Sequence, residues 1–96
     1  MRLSTSDINI IKLSIQKYIE NAKIVLFGSR VYDDKKGGDI DILIESNHII
    51  HLKEKIKILA DIEINGIARK VDLLFQTPKN KNESIFVSAR KEGIVL

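Results

Sequence analysis

The sequence predicts an α+β (α/β) domain, a small mixed β-sheet packed with helices, on three observations. Three short segments carry strand-length apolar character: KIVLF at 23–27, DIDILIE at 39–45 and VDLLFQ at 71–76. Between and after them, apolar residues recur at intervals of three and four, the period of a helix with one buried face. The junctions are rich in turn formers: Asn21-Ala22, the run Asp33-Asp34-Lys35-Lys36-Gly37-Gly38, Asn65-Gly66, and Thr77-Pro78-Lys79-Asn80. The resulting order is helix, strand, strand, helix, strand, helix, with Ile94-Val95-Leu96 as a short closing edge strand.

Ser4-Thr5-Ser6-Asp7 supplies hydroxyl caps for a first helix that runs to about Glu20 on the stripe Ile8, Ile11, Ile15, Tyr18 and Ile19. KIVLF is almost wholly apolar and so predicts a buried central strand ending at Gly28-Ser29. Ser29-Arg30-Val31-Tyr32 predicts a helical turn. In DIDILIE the two-residue period sends Asp39 and Asp41 to one face and Ile40, Ile42 and Ile44 to the other. Ser46-Asn47 can cap a second helix from roughly His48 to Ile62, with Ile49, Leu52, Ile56 and Leu59 as its inward stripe, joined by Ile58 and Ile62. In VDLLFQ, Val71, Leu73 and Phe75 share one face and Asp72 and Leu74 the other. Residues 82–92 predict a third helix, with Ile85, Phe86 and Ala89 facing in. A crossover as long as the second helix allows its flanking strands to be parallel or antiparallel.

The 96 residues suffice for one small domain, 1–96, and not for two. No apolar run approaches the roughly 18 residues of a membrane span, and the first residues lack the apolar core of a signal peptide. With no cysteine, disulfides and thiolate metal sites are excluded, which fits a cytoplasmic protein. The net charge is +3. Residues 1–48 balance seven basic against seven acidic residues, and 49–96 hold nine against six. That surplus forms no basic stripe of the kind that grips nucleic acid. A domain of this size buries a modest core, which leaves a stabilising partner or a homo-oligomer open.

The residues that carry chemistry are Gly28-Ser29 and the aspartates. Two carboxylates on one sheet face repel unless a cation or a proton lies between them. Asp72 can join Asp39 and Asp41 if its strand lies beside theirs, and an aspartate in an apolar central strand is costly without a partner. Three such carboxylates are suited to one or two Mg²⁺ ions, and a glycine-serine turn offers N–H groups and a hydroxyl to phosphate. Taken alone, Asp39 and Asp41 also read as solvent-facing charges that discourage edge aggregation. Lys35, Lys36, Asp33 and Asp34 read as solvated loop charges. Arg30 divides evenly between phosphate contact and surface charge. His48 and His51 read as solvated rather than as a metal pair, and Tyr32 as core rather than as a base-stacking ring.

Gly28-Ser29, nine intervening residues and then Asp39-Ile40-Asp41, with Asp72 on a later strand, resemble the signature of the DNA polymerase β-like nucleotidyltransferase superfamily. The length resembles its minimal nucleotidyltransferases, stand-alone domains of about this size. The resemblance implies the polymerase β-like palm fold and an Mg²⁺-dependent transfer of a nucleotide, AMP from ATP, to a hydroxyl. It implies that Gly28, Ser29 and Arg30 bind the nucleoside triphosphate and that Asp39, Asp41 and Asp72 are the catalytic, metal-ligating set. It further implies a HEPN-type protein partner, modified on a tyrosine, with this chain as antitoxin. The alternative is a non-catalytic antitoxin that neutralises its partner by complex formation alone.

Overall fold

A serine opens the first helix. Ser4, in extended conformation, accepts the Asp7 backbone N–H on Oγ at 3.0 Å, pairing one of the donors that a helix start leaves unmatched. In the computed structural model, which describes residues 3–27, 40–47, 50–67 and 69–96, this helix, α1, covers Thr5–Gln16. It stops a turn short of the expected Glu20, because Lys17 is already its C-cap and the chain reverses through Asn21 at φ 57°. Asparagine tolerates that left-handed conformation better than most residues. Ile11, Ile15 and Ile19 are buried as the stripe predicts, with Ile8 and Tyr18 packed at its margin.

Four strands form one sheet in the order β3-β2-β1-β4. They are β1 (Lys23–Phe27), β2 (Ile40–Glu45), β3 (Val71–Gln76) and β4 (Ile94–Val95). β1 runs antiparallel to both β2 and β4, while β2 and β3 are parallel. The sheet is therefore mixed, and the question the sequence left open is settled: the helix between β2 and β3 is a parallel crossover. β1 is internal, as expected. β3 is not central: it is an edge strand, so Asp72 escapes the full desolvation that a central position would impose.

The crossover helix α2 spans Leu52–Ile64. It starts after the expected His48, and residues 48 and 49 lie outside the described residues. The exposed His51 is its N-cap without a side-chain hydrogen bond, so Ser46-Asn47 does not cap it. Ile58 and Ile62 are its buried residues, with Leu59 partly buried against the core. Leu52 and Ile56, expected to face in, are exposed. The last helix, α3, covers Ser84–Glu92 and buries Phe86 and Ala89, while Ile85 stays half-exposed rather than facing in.

The two faces of the sheet are covered differently. Ile24, Leu26, Ile40, Ile42 and Ile44 pack with α1 and α2 in the main core. Val25 and Leu43 pack with Phe86 and Ala89 of α3 on the other side. No helix among the described residues is long and apolar enough to cross a membrane.

α3 is seated against β1 through Gly93, its C-cap. A methyl group there would collide with the Ala89 carbonyl oxygen and Val25 Cγ1, and would lie 2.9 Å from the Leu26 carbonyl oxygen. Two of the three obstacles are backbone and cannot swing aside. Gly93→Ala is therefore expected to destabilise the fold by about 1–3 kcal/mol, the usual cost of forced overpacking. A denaturant titration showing wild-type stability would contradict this packing.

The turn that follows α1 is joined to α2 by polar contacts. The Tyr18 hydroxyl donates to Asp61 Oδ2 at 2.8 Å, and Lys17 Nζ lies 3.3 Å from the same oxygen. The Tyr18 hydrogen bond, helped by Lys17, holds the Asp61 carboxyl below its usual 3.8 against an opposing desolvation effect. The hydrogen bond to Asp61 likewise raises Tyr18 above 10.0 and Lys17 above 10.5. The carboxylate's contribution is full above 3.8 and lost as pH falls through its lowered folded value; those of Tyr18 and Lys17 are full below their usual values and lost as pH rises through the raised ones. Asp61→Asn should thus lower Tm most between 3.8 and 10.0, with the deficit shrinking outside that interval. Thermal melts across pH check this; a deficit that persists unchanged in strong acid would refute it.

Candidate active site

The face that carries α3 is built of three cross-strand rows, each dictated by the period of two. At one end, Lys23, Glu45 and Gln76 are register partners. They form a polar chain in which Lys23 Nζ lies 3.4 Å from Glu45 Oε2 and Gln76 Nε2 donates to Glu45 Oε1 at 2.9 Å. Arg90 of α3 donates in turn to Gln76 Oε1. The middle row, Val25, Leu43 and Leu74, is apolar and lies under Phe86 and Ala89. The third row is Phe27, Asp41 and Asp72. α3 thus covers the centre of the face, is pinned at one end by Arg90, and leaves the carboxylate row at the other.

Asp41 and Asp72 are direct register partners on adjacent parallel strands. Neighbouring strands lie about 4.8 Å apart, so both carboxyl groups project from one small area. Like charges placed directly opposite each other cost stability. Both residues are half-buried, and the Asp72 side chain is 43% exposed, with Lys70 Nζ 3.8 Å from its Oδ1. At that exposure the ion pair contributes little. The row opens into a cleft of about 700 Å³, lined also by Phe27, Lys55, Leu59, Lys70, Leu74 and Ile85. That volume lies in the range of small-molecule sites.

The donors fit a hard divalent cation: carboxylate oxygens from two strands, with room beside them. Among the described residues no cluster of three or more His, Cys, Asp or Glu side chains forms. Of the six residues singled out in the sequence, Asp41 and Asp72 are brought together, while Gly28, Ser29, Arg30 and Asp39 lie outside the described residues. So do Tyr32, the loop charges between 33 and 36 and His48; His51 stands at the start of α2, away from the lining of the cleft.

Two lysines of the cleft escaped the sequence reading. Lys70 has a signal in hindsight, for it stands two residues before Asp72 and so projects to the same side of the chain. Lys55 has none: nothing in the spacing of α2 separates it from the other lysines of that helix.

The family model described as Polymerase beta, Nucleotidyltransferase matches residues 9–96. No curated protein matches the chain. The match takes in every strand of the sheet, both aspartates of the shared row and the closing helix, and the chain belongs to the polymerase beta nucleotidyltransferase family.

Proposed function

We propose that the chain is a minimal nucleotidyltransferase that moves AMP from ATP onto a hydroxyl, a tyrosine of a HEPN-type partner, and so acts as an antitoxin. The observation that carries the proposal is the Asp41–Asp72 register pair opening into a cleft with Lys55 and Lys70. Such a face supports charge neutralisation at a triphosphate better than any other chemistry, since two opposed carboxylates call for a cation and the adjacent lysines suit phosphate oxygens.

In this reading Asp39 and Asp41 hold the cation with the nucleotide, and Gly28, Ser29 and Arg30 hold its β- and γ-phosphates. Mg²⁺, as one or two ions, would neutralise the triphosphate and lower the pKa of the acceptor hydroxyl. Asp72, arriving from a different strand, completes the set and takes the proton of that hydroxyl. The acceptor oxygen bonds to the α-phosphorus, the bond to the β-phosphate oxygen breaks, and pyrophosphate leaves. Phe27 in the carboxylate row and Leu74 in the row beside it supply apolar lining to the cleft.

The test is intact-mass analysis of a candidate HEPN partner after incubation with this chain, ATP and Mg²⁺. A gain of one or more AMP units is expected. Neutralisation of the partner without any mass gain would replace transfer with binding alone.

A further inference from the structure

β3 is the sheet edge beside the carboxylates, and its pairing with β2 fixes which of its backbone groups point outward. The Ile40 N–H donates to the Lys70 carbonyl at 2.9 Å and the Ser46 N–H to that of Gln76 at 3.3 Å. Alternation then turns the N–H and C=O of Asp72 and Leu74 toward β2, and those of Val71, Leu73 and Phe75 away from it. One outward group is satisfied by a side chain: Asn80 accepts the Thr77 N–H on Oδ1 at 2.7 Å and donates from Nδ2 to the Phe75 carbonyl at 3.1 Å. Among the described residues, nothing pairs with the outward groups of Val71 and Leu73. Leu73 is 2% exposed, and a shielded backbone group without a partner is costly. Both residues line the cleft, although their side chains belong to the main core. The cleft thus follows this edge, with Leu59 of α2 to one face and Asp41, Asp72 and Ile85 to the other.

An edge of this kind calls for another polypeptide backbone, which nucleic acid does not supply. A second copy fits it badly. Two-fold pairing centred on Asp72 sets that carboxylate against its own counterpart. Pairing centred on Leu73 needs the Phe75 carbonyl that Asn80 holds, and pairing centred on Val71 needs Arg69, which lies outside the strand. The charges along the edge favour neither sign: Asp41, Asp72 and Glu63 stand among Lys55, Lys70 and Arg69. A strand from a different chain meets none of these obstacles. Added antiparallel, it forms hydrogen-bonded pairs at Val71 and Leu73, and the residue between them faces Asp72. That position is a non-hydrogen-bonded pair, with Cα atoms about 4.5 Å apart and side chains on one face. The row Phe27, Asp41 and Asp72 then gains a fourth member beside the group assigned to take the acceptor's proton. The residues on either side of it turn to the opposite face, where a second cavity of about 340 Å³ is lined by Leu59, Ile62, Ile67 and Val71.

We propose that the acceptor segment binds as a fifth, antiparallel strand on the outer edge of β3, with its hydroxyl residue opposite Asp72 and an apolar residue on each side. The inference rests on the protein-acceptor reading above and deepens it.

The test is an amide NMR and hydrogen-exchange titration with a synthetic peptide that carries tyrosine between two valines. At saturation, exchange at the Val71 and Leu73 amides should slow at least about tenfold, while Asp72 and Leu74, already bonded to β2, stay unchanged. N-methylation of the two valines, whose N–H groups would pair with the edge, should abolish binding. N-methylation of the tyrosine, whose N–H points away, should leave it intact. No protection at Val71 and Leu73, equal loss with both methylated peptides, or a peptide-free dimer that protects the same amides overturns the proposal. AMP transfer to a protein partner without protection of this edge would also overturn it and leave the transferase reading standing. Edge protection by the peptide in a protein that binds no ATP would instead remove the transferase reading and leave strand addition standing.

Discussion

Asp41→Asn should reduce nucleotidyl transfer about 10³-fold or more. Asp41 stands in the middle of the carboxylate row, between Phe27 and Asp72, where its charge can face both the cation and the triphosphate. The amide is close to isosteric but neutral, and it lowers both the attraction for a divalent ion and the neutralisation of charge in the transition state. Effects of that kind are worth several kcal/mol, and each 1.36 kcal/mol is tenfold in rate. The fold should survive, because two opposed carboxylates repel in the absence of metal. Melting in a chelator is therefore expected to leave Asp41→Asn equal to the wild type or slightly above it. The rate is read as AMP gained by the acceptor per unit time. A rate within a few-fold of wild type would remove Asp41 from the site.

Asp72→Asn should separate binding from chemistry. Asp72 reaches the row from the sheet edge, with its side chain 43% exposed. A group placed there can take the acceptor's proton without being needed to hold the nucleotide. Loss of a general base costs about 10²–10⁴-fold. Transfer should fall by at least about 10²-fold while ATP–Mg²⁺ affinity stays within a few-fold of wild type. Undiminished transfer in Asp72→Asn would exclude it from the mechanism. Abolished transfer with the partner still neutralised would make the biological role one of binding.

How much of this was legible in the sequence depends on what each pattern physically determines. The period of two in DIDILIE separates Asp41 from its isoleucines, and in VDLLFQ it separates Asp72 from Val71 and Leu73; the sheet has both divisions. The pairing of Asp41 with Asp72 was not legible, because it depends on the direction and register of a strand that returns after a helix. Nothing local encodes either. The edge position of β3 was missed for the same reason, and with it the exposure of Asp72. In α2 the misreading has a different origin. Its apolar residues cover an arc wider than the core requires, and periodicity cannot tell which part of that arc is buried. Ile58 and Ile62 are, and Leu52 and Ile56 are not. Ile85 was misjudged likewise, since a nine-residue helix buries only Phe86 and Ala89. Capping was read correctly where a hydroxyl acts, at Ser4, and wrongly at Ser46-Asn47, where β2 has just ended and α2 begins only after His51.

The central claim is that the Asp41–Asp72 face binds a nucleoside triphosphate through a divalent cation. Calorimetric titration of the wild-type protein with ATP, in Mg²⁺ and again in a chelator, tests it most directly. Saturable binding in Mg²⁺ that disappears in the chelator, and is lost in Asp41→Asn, is the predicted result. Equal ATP affinity with and without the divalent ion would contradict the account.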